Sequence, residues 1–183
     1  MQIITGFLKS RTIKIPKSKL IRPTSGKVRK AIFDILGDFI IKKNVLDLFS
    51  GSGALGLEAL SSGAESVTFV EKNQFFVKVI KENAKNLVLG KNTQVFGCDV
   101  FEALNILARK KISFEIIFID PPYYRDLAKK CLLEISKYDI VHPLGIVVAE
   151  HHKKDELPEN CNSLTRWKYK KYGDTFVSFY SYS

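Results

Sequence analysis

The chain has 183 residues, enough for one domain with its own hydrophobic core. Its hydrophobic content of 45% and charged content of 26% are ordinary for a folded globular protein, and no apolar run approaches the roughly 20 residues of a membrane-spanning helix. The net charge of +10 favours a polyanionic partner such as a nucleic acid, although a solvated lysine-rich surface is the alternative.

The first residues and the cysteines indicate the compartment in which the protein is found. Residues 1–7 run into polar and basic residues after a few apolar ones, so they lack the apolar region and cleavage site of a secretory signal, which predicts a cytoplasmic protein. The cysteines Cys98, Cys131 and Cys161 are widely spaced, and no Cys-x-x-Cys pair indicates zinc or a redox motif. We predict three reduced structural thiols in a single domain, residues 1–183.

The N-terminal part is predicted to be a short basic extension, residues 1–24. Residues 2–7 and 12–15 read as two short strands around a polar turn, and so predict a β-hairpin. From residue 25 a helical apolar pattern begins, with Thr24 or Ser25 as its N-cap. The core is therefore expected to occupy residues 25–183.

Apolar runs and amphipathic stretches alternate through the middle of the chain, which predicts a parallel sheet with helices on both faces. The predicted strands are 45–49, 66–71, 93–98 and 114–120, and the predicted helices are 54–61, 75–86 and 101–109.

A helix at 127–136 and a strand at 144–150 continue this alternation. The last two predicted strands, 164–171 and 175–182, flank Gly173-Asp174 with no helix between them, which predicts an antiparallel hairpin at the edge of the sheet. The sequence thus predicts an α/β, Rossmann-like fold with a mostly parallel seven-stranded sheet.

A glycine-rich turn follows the first core strand, in "VLDLFSGSGALGLEAL". Gly51, Gly53 and Gly56 between a strand and a helix let the backbone approach a ligand closely. Glu71 ends the next strand, where a carboxylate can accept hydrogen bonds from both hydroxyls of a ribose. Nicotinamide oxidoreductases and S-adenosylmethionine enzymes share this pattern, and a purely structural turn is a third interpretation.

Two aspartates favour S-adenosylmethionine. A carboxylate at Asp47, inside the first core strand, would repel a pyrophosphate but suits the cationic methionine end of that donor. Asp99, after the third core strand, is placed to accept from an adenine amino group, as is common in methyltransferases. The oxidoreductase remains the second interpretation.

The segment "FIDPPYY" ends the fourth core strand at Asp120, where open α/β folds bind ligands. Pro121 and Pro122 make a rigid turn, so the Asp120 carboxylate and the Pro121 carbonyl form two fixed acceptors for the hydrogens of an exocyclic amino group. Tyr123 offers a ring on which a base can stack. This arrangement would aim the nitrogen lone pair at a sulfonium methyl, whereas the structural alternative is a simple strand-ending turn.

Four stretches together resemble the bacterial small-subunit ribosomal RNA guanine-N2 methyltransferases over nearly the whole chain. They are "RTIKIPKSKLIRPTSGKVRKAIFDIL", "DLFSGSGALGLEALSSGA", "FIDPPYY" and "KYGDTFVSFY". The glycine loop and Asp-Pro-Pro-Tyr occur widely among amino-methylating enzymes. The Arg22 to Thr24 stretch, "GALGLEALSSGA" and "KYGDT" are more specific to this family.

The resemblance implies a class I methyltransferase domain with S-adenosylmethionine as donor, S-adenosylhomocysteine as product and no metal. Carried onto this chain, the guanine would be held by Asp120, Pro121, Pro122 and Tyr123. The donor would be held by Asp47, Phe49, Gly51, Gly53, Glu71, Lys72, Asp99, Val100 and Asp120. Arg22, Thr24, Lys27 and Arg29 would contact the RNA.

The implied partner is 16S rRNA, within the small ribosomal subunit or a late assembly intermediate, and the enzyme is expected to be a monomer. Guanine N2 is hidden in paired RNA, so the target must be unstacked or looped out. Rival functions are an amino methyltransferase acting on adenine or on protein glutamine, and a non-catalytic RNA-binding assembly factor. We interpret His151-His152 as no metal site, and the terminal aromatics Trp167 and Tyr169 as packing residues.

Overall fold

The computed structural model describes residues 1–16, 24–122 and 126–182. Within these ranges α-helices and β-strands alternate through most of the chain, and the strands form one mixed sheet. The helices are α1 Gly26–Leu36, α2 Ala54–Ser61, α3 Gln74–Asn86, α4 Val100–Arg109 and α5 Leu127–Ile135. The strands are β1 Asn44–Leu48, β2 Ser66–Val70, β3 Thr93–Phe96, β4 Phe114–Ile119, β5 Val141–His152, β6 Asn160–Cys161, β7 Leu164–Tyr172 and β8 Thr175–Tyr182.

The strands lie in the order β3-β2-β1-β4-β5-β8-β7-β6. Strands β1 to β5 pair in parallel, and the β7–β8 hairpin adds β8 antiparallel to β5. The predicted Rossmann-like sheet with a C-terminal antiparallel hairpin is therefore confirmed. The described residues add an eighth strand, β6, whose two residues are too few to give an alternating pattern in the sequence.

Helices cover both faces of the sheet because the central strands are apolar on both sides. Val45 of β1 packs into a core with α1, α2 and α3, whereas its neighbour Leu46 packs into a second core with α4 and α5. Both side chains are fully buried. This two-sided burial explains why the strands of the parallel sheet read as continuous apolar runs.

The N-terminal segment turns back on itself as expected, but it forms a single β-bridge, Gln2 with Thr12, where two strands were predicted. The cause is a tertiary contact. The backbone N–H groups of Ile4 and Thr5 donate to Glu58 Oε1 in α2 at 2.7 and 2.5 Å, so they do not extend the ladder. The segment is thus docked on α2 rather than projecting as an independent hairpin.

Helix α1 begins where the sequence indicated. Ser25 is its N-cap, and its hydroxyl accepts from the Val28 N–H at 3.2 Å. None of the helices in the described part of the chain is long and apolar enough to cross a membrane.

Candidate functional site

The carboxyl ends of β1, β2, β3 and β4 meet along one edge of the sheet. From β1 the chain proceeds outward to β2 and β3, and it then returns to β4 on the other side of β1. The crevice at such a reversal is where open α/β sheets bind ligands. The predicted glycine loop, Glu71, Asp99 and Asp120 follow β1, β2, β3 and β4 at this edge.

The glycine loop has a backbone that requires glycine at two positions. Gly51 and Gly53 have φ of 54° and 80°, the left-handed region that side chains disfavour. Gly56 serves packing instead, because a Cβ there would lie 2.3 Å from the Phe69 ring of β2. Phe49, with φ of 60°, takes the left-handed conformation despite its side chain, which is strain of the kind found at functional sites.

Glu71 holds the glycine loop in place. Its Oε2 accepts from the Gly51 N–H at 2.9 Å, and its Oε1 accepts from the Asn73 N–H at 2.8 Å. A carboxylate oxygen has two lone-pair sites, so each oxygen retains capacity for a ligand hydroxyl. The side chain that we expect to bind a ribose therefore also shapes the loop beside it.

Asp47 is buried under the loop with only 1% of its surface exposed. Its Oδ2 accepts from the Gly56 N–H in α2 at 3.0 Å. The pKa of Asp47 is raised to about 8, mainly by burial; the hydrogen bond from Gly56 opposes this rise, and the nearby Asp120 and Glu71 carboxylates contribute to it. The group is therefore largely protonated at neutral pH, where the sequence-based interpretation assumed a carboxylate. A cationic ligand close to it would favour the charged form.

Replacing Asp47 with Asn is expected to reduce the loss of stability that accompanies rising pH. A carboxyl whose pKa is raised by folding binds its proton more tightly in the folded state, so stability falls as the pH passes from the unfolded value near 4 towards 8. Between pH 4 and 7 the free energy of unfolding of the wild type should fall by roughly 4 kcal/mol relative to that of Asp47→Asn. Urea unfolding across this range measures the difference; parallel curves for the two proteins would contradict the expectation.

Asp120 follows β4 at the same edge and is half-buried. The Thr24 hydroxyl, just before α1, donates to Asp120 Oδ2 at 2.6 Å. Burial raises the pKa of Asp120 to about 6, while the Thr24 hydrogen bond works against this rise. The carboxyl is thus ionised at neutral pH with one oxygen fixed by Thr24. Thr24 itself is 95% buried, so it positions Asp120 rather than presenting the exposed RNA contact that was expected from the sequence.

The turn after Asp120 is described only in part. Pro121 is buried and Pro122 is exposed. Two predicted site residues, Tyr123 and Arg22, lie outside the described residues.

The remaining predicted donor residues lie around the loop. Asp99 is exposed and caps α4, since its Oδ1 accepts from the Phe101 N–H at 3.0 Å. The Val100 side chain is buried in the core with α4, so its backbone is the part available to a ligand. Phe49 is half-buried against the same core, and Lys72 is exposed.

Burial corrects the expectation that Arg29 contacts RNA. Its side chain is 2% exposed, and its Nη1 lies 3.6 Å from Glu58 Oε2. Its Nη2 also donates to the Gln2 carbonyl at 3.2 Å, so Arg29 ties the N-terminal segment to α1 and α2. Its spacing to Ile32 and Leu36 places Arg29 on the buried face of α1. This spacing is visible in the sequence, but the charge of Arg29 favoured a surface position. Lys27, by contrast, is exposed as expected.

Sequence reasoning missed two supports of the loop. The Ser50 hydroxyl donates to the Asp47 carbonyl at 2.5 Å and accepts from the Val70 N–H at 3.0 Å, which joins the ends of β1 and β2. The Asn83 amide of α3 donates to the Ser52 carbonyl at 3.2 Å. Neither residue stands out in the sequence, because Ser50 is one of two serines in the glycine loop and Asn83 is one polar residue among many in α3.

The described ranges contain no group of three or more His, Cys, Asp or Glu residues arranged to hold a metal ion. His151 is buried, with Nδ1 2.8 Å from the Asp155 carbonyl and Nε2 3.0 Å from the Ser178 hydroxyl. Burial lowers the pKa of His151, so its imidazole is neutral and belongs to the packing of β5 against β8.

Solved structures share this architecture. A putative methyltransferase from Escherichia coli, yhhF, superposes with a TM-score of 0.87 at 28% identity, covering 100% of this chain and 98% of the other. A putative methyltransferase solved in complex with SAH gives a TM-score of 0.70 at 19% identity over 84% of this chain and 48% of its own, a likeness of fold. The fold is that of a Rossmann-like methyltransferase.

The chain belongs to the family described as Conserved hypothetical protein 95, whose model matches residues 1–181, and which includes the small-subunit ribosomal RNA methyltransferases D. The putative rRNA methyltransferase YlbH of Bacillus subtilis is 38% identical over 180 residues, 98% of either chain. Ribosomal RNA small subunit methyltransferase D of Escherichia coli K12 is 32% identical over 158 residues, 86% of this chain and 78% of the relative. The membership in the small-subunit ribosomal RNA methyltransferases that the sequence indicated is thereby confirmed.

Proposed function

We propose that this protein transfers a methyl group from S-adenosylmethionine to the exocyclic N2 of a guanine in 16S rRNA. The observation that carries the proposal is the Asp120 carboxylate at the carboxyl end of β4, fixed by Thr24 beside the glycine loop. An ionised acceptor at this position can hold a hydrogen of an amino group and stabilise the positive charge that develops on its nitrogen. Family membership and the rRNA methyltransferase names of its relatives support an RNA substrate.

The donor would lie across the glycine loop. Glu71 would accept from the ribose hydroxyls, and Asp99 would accept from the adenine amino group. The buried Asp47 carboxyl would ionise when the methionine ammonium comes near, because an adjacent cation stabilises the carboxylate. The neighbour solved with SAH shares this fold, which supports the same crevice for the donor.

The chemistry is a direct displacement. Asp120 Oδ1 and the Pro121 carbonyl would accept the two hydrogens of the guanine N2 amino group, so that its lone pair points at the sulfonium methyl. The N–CH3 bond forms as the S–CH3 bond breaks, which leaves neutral S-adenosylhomocysteine and a positively charged nitrogen. The Asp120 carboxylate stabilises that charge, and the nitrogen then loses one proton to Asp120 or to water.

Replacing Thr24 with Val is expected to move the acidic limb of the pH–rate profile to higher pH, by about one pH unit. The Thr24 hydroxyl stabilises the ionised form of Asp120, so its loss raises the pKa of that carboxyl above its present value of about 6. Single-turnover rates between pH 5 and 9 provide the measurement. Thr24→Ser retains the hydroxyl and should keep the wild-type profile. A uniform rate loss without any displacement of the limb would contradict this role.

The RNA substrate is proposed to be the small ribosomal subunit or a late assembly intermediate. The target guanine must be exposed, since N2 of a paired guanine lies in a groove. The monomeric state and the cytoplasmic location stay predictions. Equal rates on naked rRNA fragments and on assembled particles would contradict the dependence on assembly.

One assay separates this function from its rivals. Purified protein is incubated with methyl-labelled S-adenosylmethionine and small subunits from cells that lack the enzyme, and the nucleosides are then analysed. The expected product is N2-methylguanosine. Label on adenine or on protein would assign another amino methyltransferase, and no transfer would favour the non-catalytic assembly factor.

A further inference from the structure

We propose that one face of strand β7, formed by Trp167, Lys168 and Lys170, is a docking surface for single-stranded RNA that flanks the target nucleotide. This β7 surface is not part of the catalytic edge described above. The link to the target nucleotide rests on the proposed function, whereas RNA binding as such does not.

Trp167 is the first reason. It is the single tryptophan of the chain, and 46% of it is exposed in spite of its place in a sheet strand. One side of the ring packs on Phe179, with the ring centroids 5.6 Å apart. The Lys168 Nζ lies 5.4 Å from the indole centroid. An aromatic ring anchored to the sheet, partly open to solvent and next to a cation suits base stacking and phosphate contact together.

A β-bulge brings Trp167 and Lys168 to the same side. The β7–β8 register shifts between Arg166 and Lys168, so Lys168 pairs with Phe179. Paired residues share a face, which places Lys168 with Phe179 on the side of the sheet that α1 covers. The Trp167 ring contacts Phe179 as well, whereas regular alternation would have sent the neighbouring Lys168 to the opposite face. Bulges that redirect a side chain are common next to functional sites.

The strand register relates this surface to Asp120. Ile119 pairs with Ala149, and the next residue of β5 pairs with Val177, which pairs with Lys170. Lys170 therefore lies level with Asp120, three strands away, about 14 Å across the sheet. Since Val177 packs in the core with α1, Lys170 projects on the same face as Lys168. A strand of RNA with one nucleotide at Asp120 could place a neighbouring nucleotide here.

Carboxylates of the described residues do not neutralise the charge of Lys168 and Lys170. Two nearby cations have carboxylate partners, since Arg166 pairs with Glu159 and Lys153 pairs with Asp174. In the part of the chain that the structure describes, no ion pair engages Lys168 or Lys170. A polyanion is the complementary partner, and release of its counterions would contribute to binding.

Trp167 supplies its own reporter for the test. The full chain is titrated with a single-stranded oligouridylate, and tryptophan emission is recorded at several salt concentrations. Stacking of a base on the indole should quench the emission, and added salt should reverse the effect. Unchanged emission at saturating RNA would overturn the proposal, as would quenching by RNA-free ribosomal proteins but not by RNA.

Charge variants test the lysines. Lys168→Gln with Lys170→Gln should weaken RNA binding roughly tenfold and reduce the slope of log affinity against log salt by about 1.4. The matched control, Lys91→Gln with Lys110→Gln, removes the same charge at the opposite edge of the sheet, where these exposed residues precede β3 and β4. Equal losses in both double variants would show non-specific attraction and overturn the proposal.

Methylation of small ribosomal subunits tests whether this surface contributes to the reaction. The Lys168/Lys170 variant and Trp167→Ala should raise KM for the subunits roughly tenfold or more, with kcat and donor affinity unchanged. Trp167→Phe keeps an aromatic ring and should raise KM less than Trp167→Ala does. The comparison separates stacking from loss of the Phe179 contact. If wild-type protein methylates subunits and these variants do so with unchanged KM, the surface is wrong and the function stands. If no methylation occurs but the quenching and its variant effects persist, the function is wrong and the surface stands.

Discussion

Replacing Asp120 with Asn is expected to lower kcat by roughly 10²- to 10⁴-fold while the donor still binds. The Thr24 hydroxyl would still donate to the amide oxygen, so the amide NH2 would take the position that Oδ1 has now. An NH2 group cannot accept a hydrogen from the substrate amino group, and it cannot stabilise positive charge on the nitrogen. Single-turnover methylation of small subunits measures the loss, and calorimetric titration with S-adenosylhomocysteine measures donor binding.

The control for this prediction is Glu115→Gln, which removes a carboxylate from the same strand at the opposite edge of the sheet, where Glu115 accepts from the Asn44 N–H. It should retain wild-type kcat. Stability gives a second check. Because burial raises the pKa of Asp120 to about 6, its charge costs stability at higher pH, so Asp120→Asn should not melt below the wild type at pH 7.5. A folded Asp120→Asn variant with wild-type kcat would contradict a role of Asp120 in methyl transfer.

Replacing Glu71 with Gln is expected to weaken donor binding by roughly 10²-fold, with a smaller effect on kcat at saturating donor. Glu71 accepts backbone N–H groups from Gly51 and Asn73 on its two oxygens. Glutamine has one oxygen, so its NH2 would face one of these N–H groups and the loop would move. The same change removes an acceptor for a ribose hydroxyl. Calorimetric titration with S-adenosylhomocysteine gives the affinity directly.

The matched control is Glu82→Gln. In the wild type the Glu82 carboxylate forms an exposed ion pair with Lys14. The substitution should leave donor affinity unaltered. RNA binding, followed by tryptophan emission, should be the same in both variants. A Glu71→Gln protein with wild-type donor affinity would remove Glu71 from the donor site.

Periodicity alone gave most of the core elements. Helix α2, Ala54–Ser61, and strand β8, Thr175–Tyr182, lie where the sequence predicted them. A parallel strand buried on both faces is a short apolar run, and an amphipathic helix repeats every three to four residues, so both are visible without tertiary information. The glycine loop and Asp120 were then assigned to one edge because every parallel strand of such a sheet ends there.

The errors share one cause, because each concerns a residue whose surroundings come from distant parts of the chain. Arg29 reads as a surface cation, yet Glu58 of α2 pairs with it in the interior. Asp47 reads as an anion, yet its burial raises its pKa to about 8.

The sequence by itself determined the order of the strands and helices, the position of the glycine loop and the polar residues at the strand ends. These depend on local spacing, which side-chain periodicity and the conformational limits of glycine and proline control. The tertiary structure alone decided that Thr24 supports Asp120, that Arg29 is internal and that Trp167 and Lys168 share a face. Burial, pKa and hydrogen-bond partners depend on which remote segments pack together, and spacing along the chain does not encode that packing.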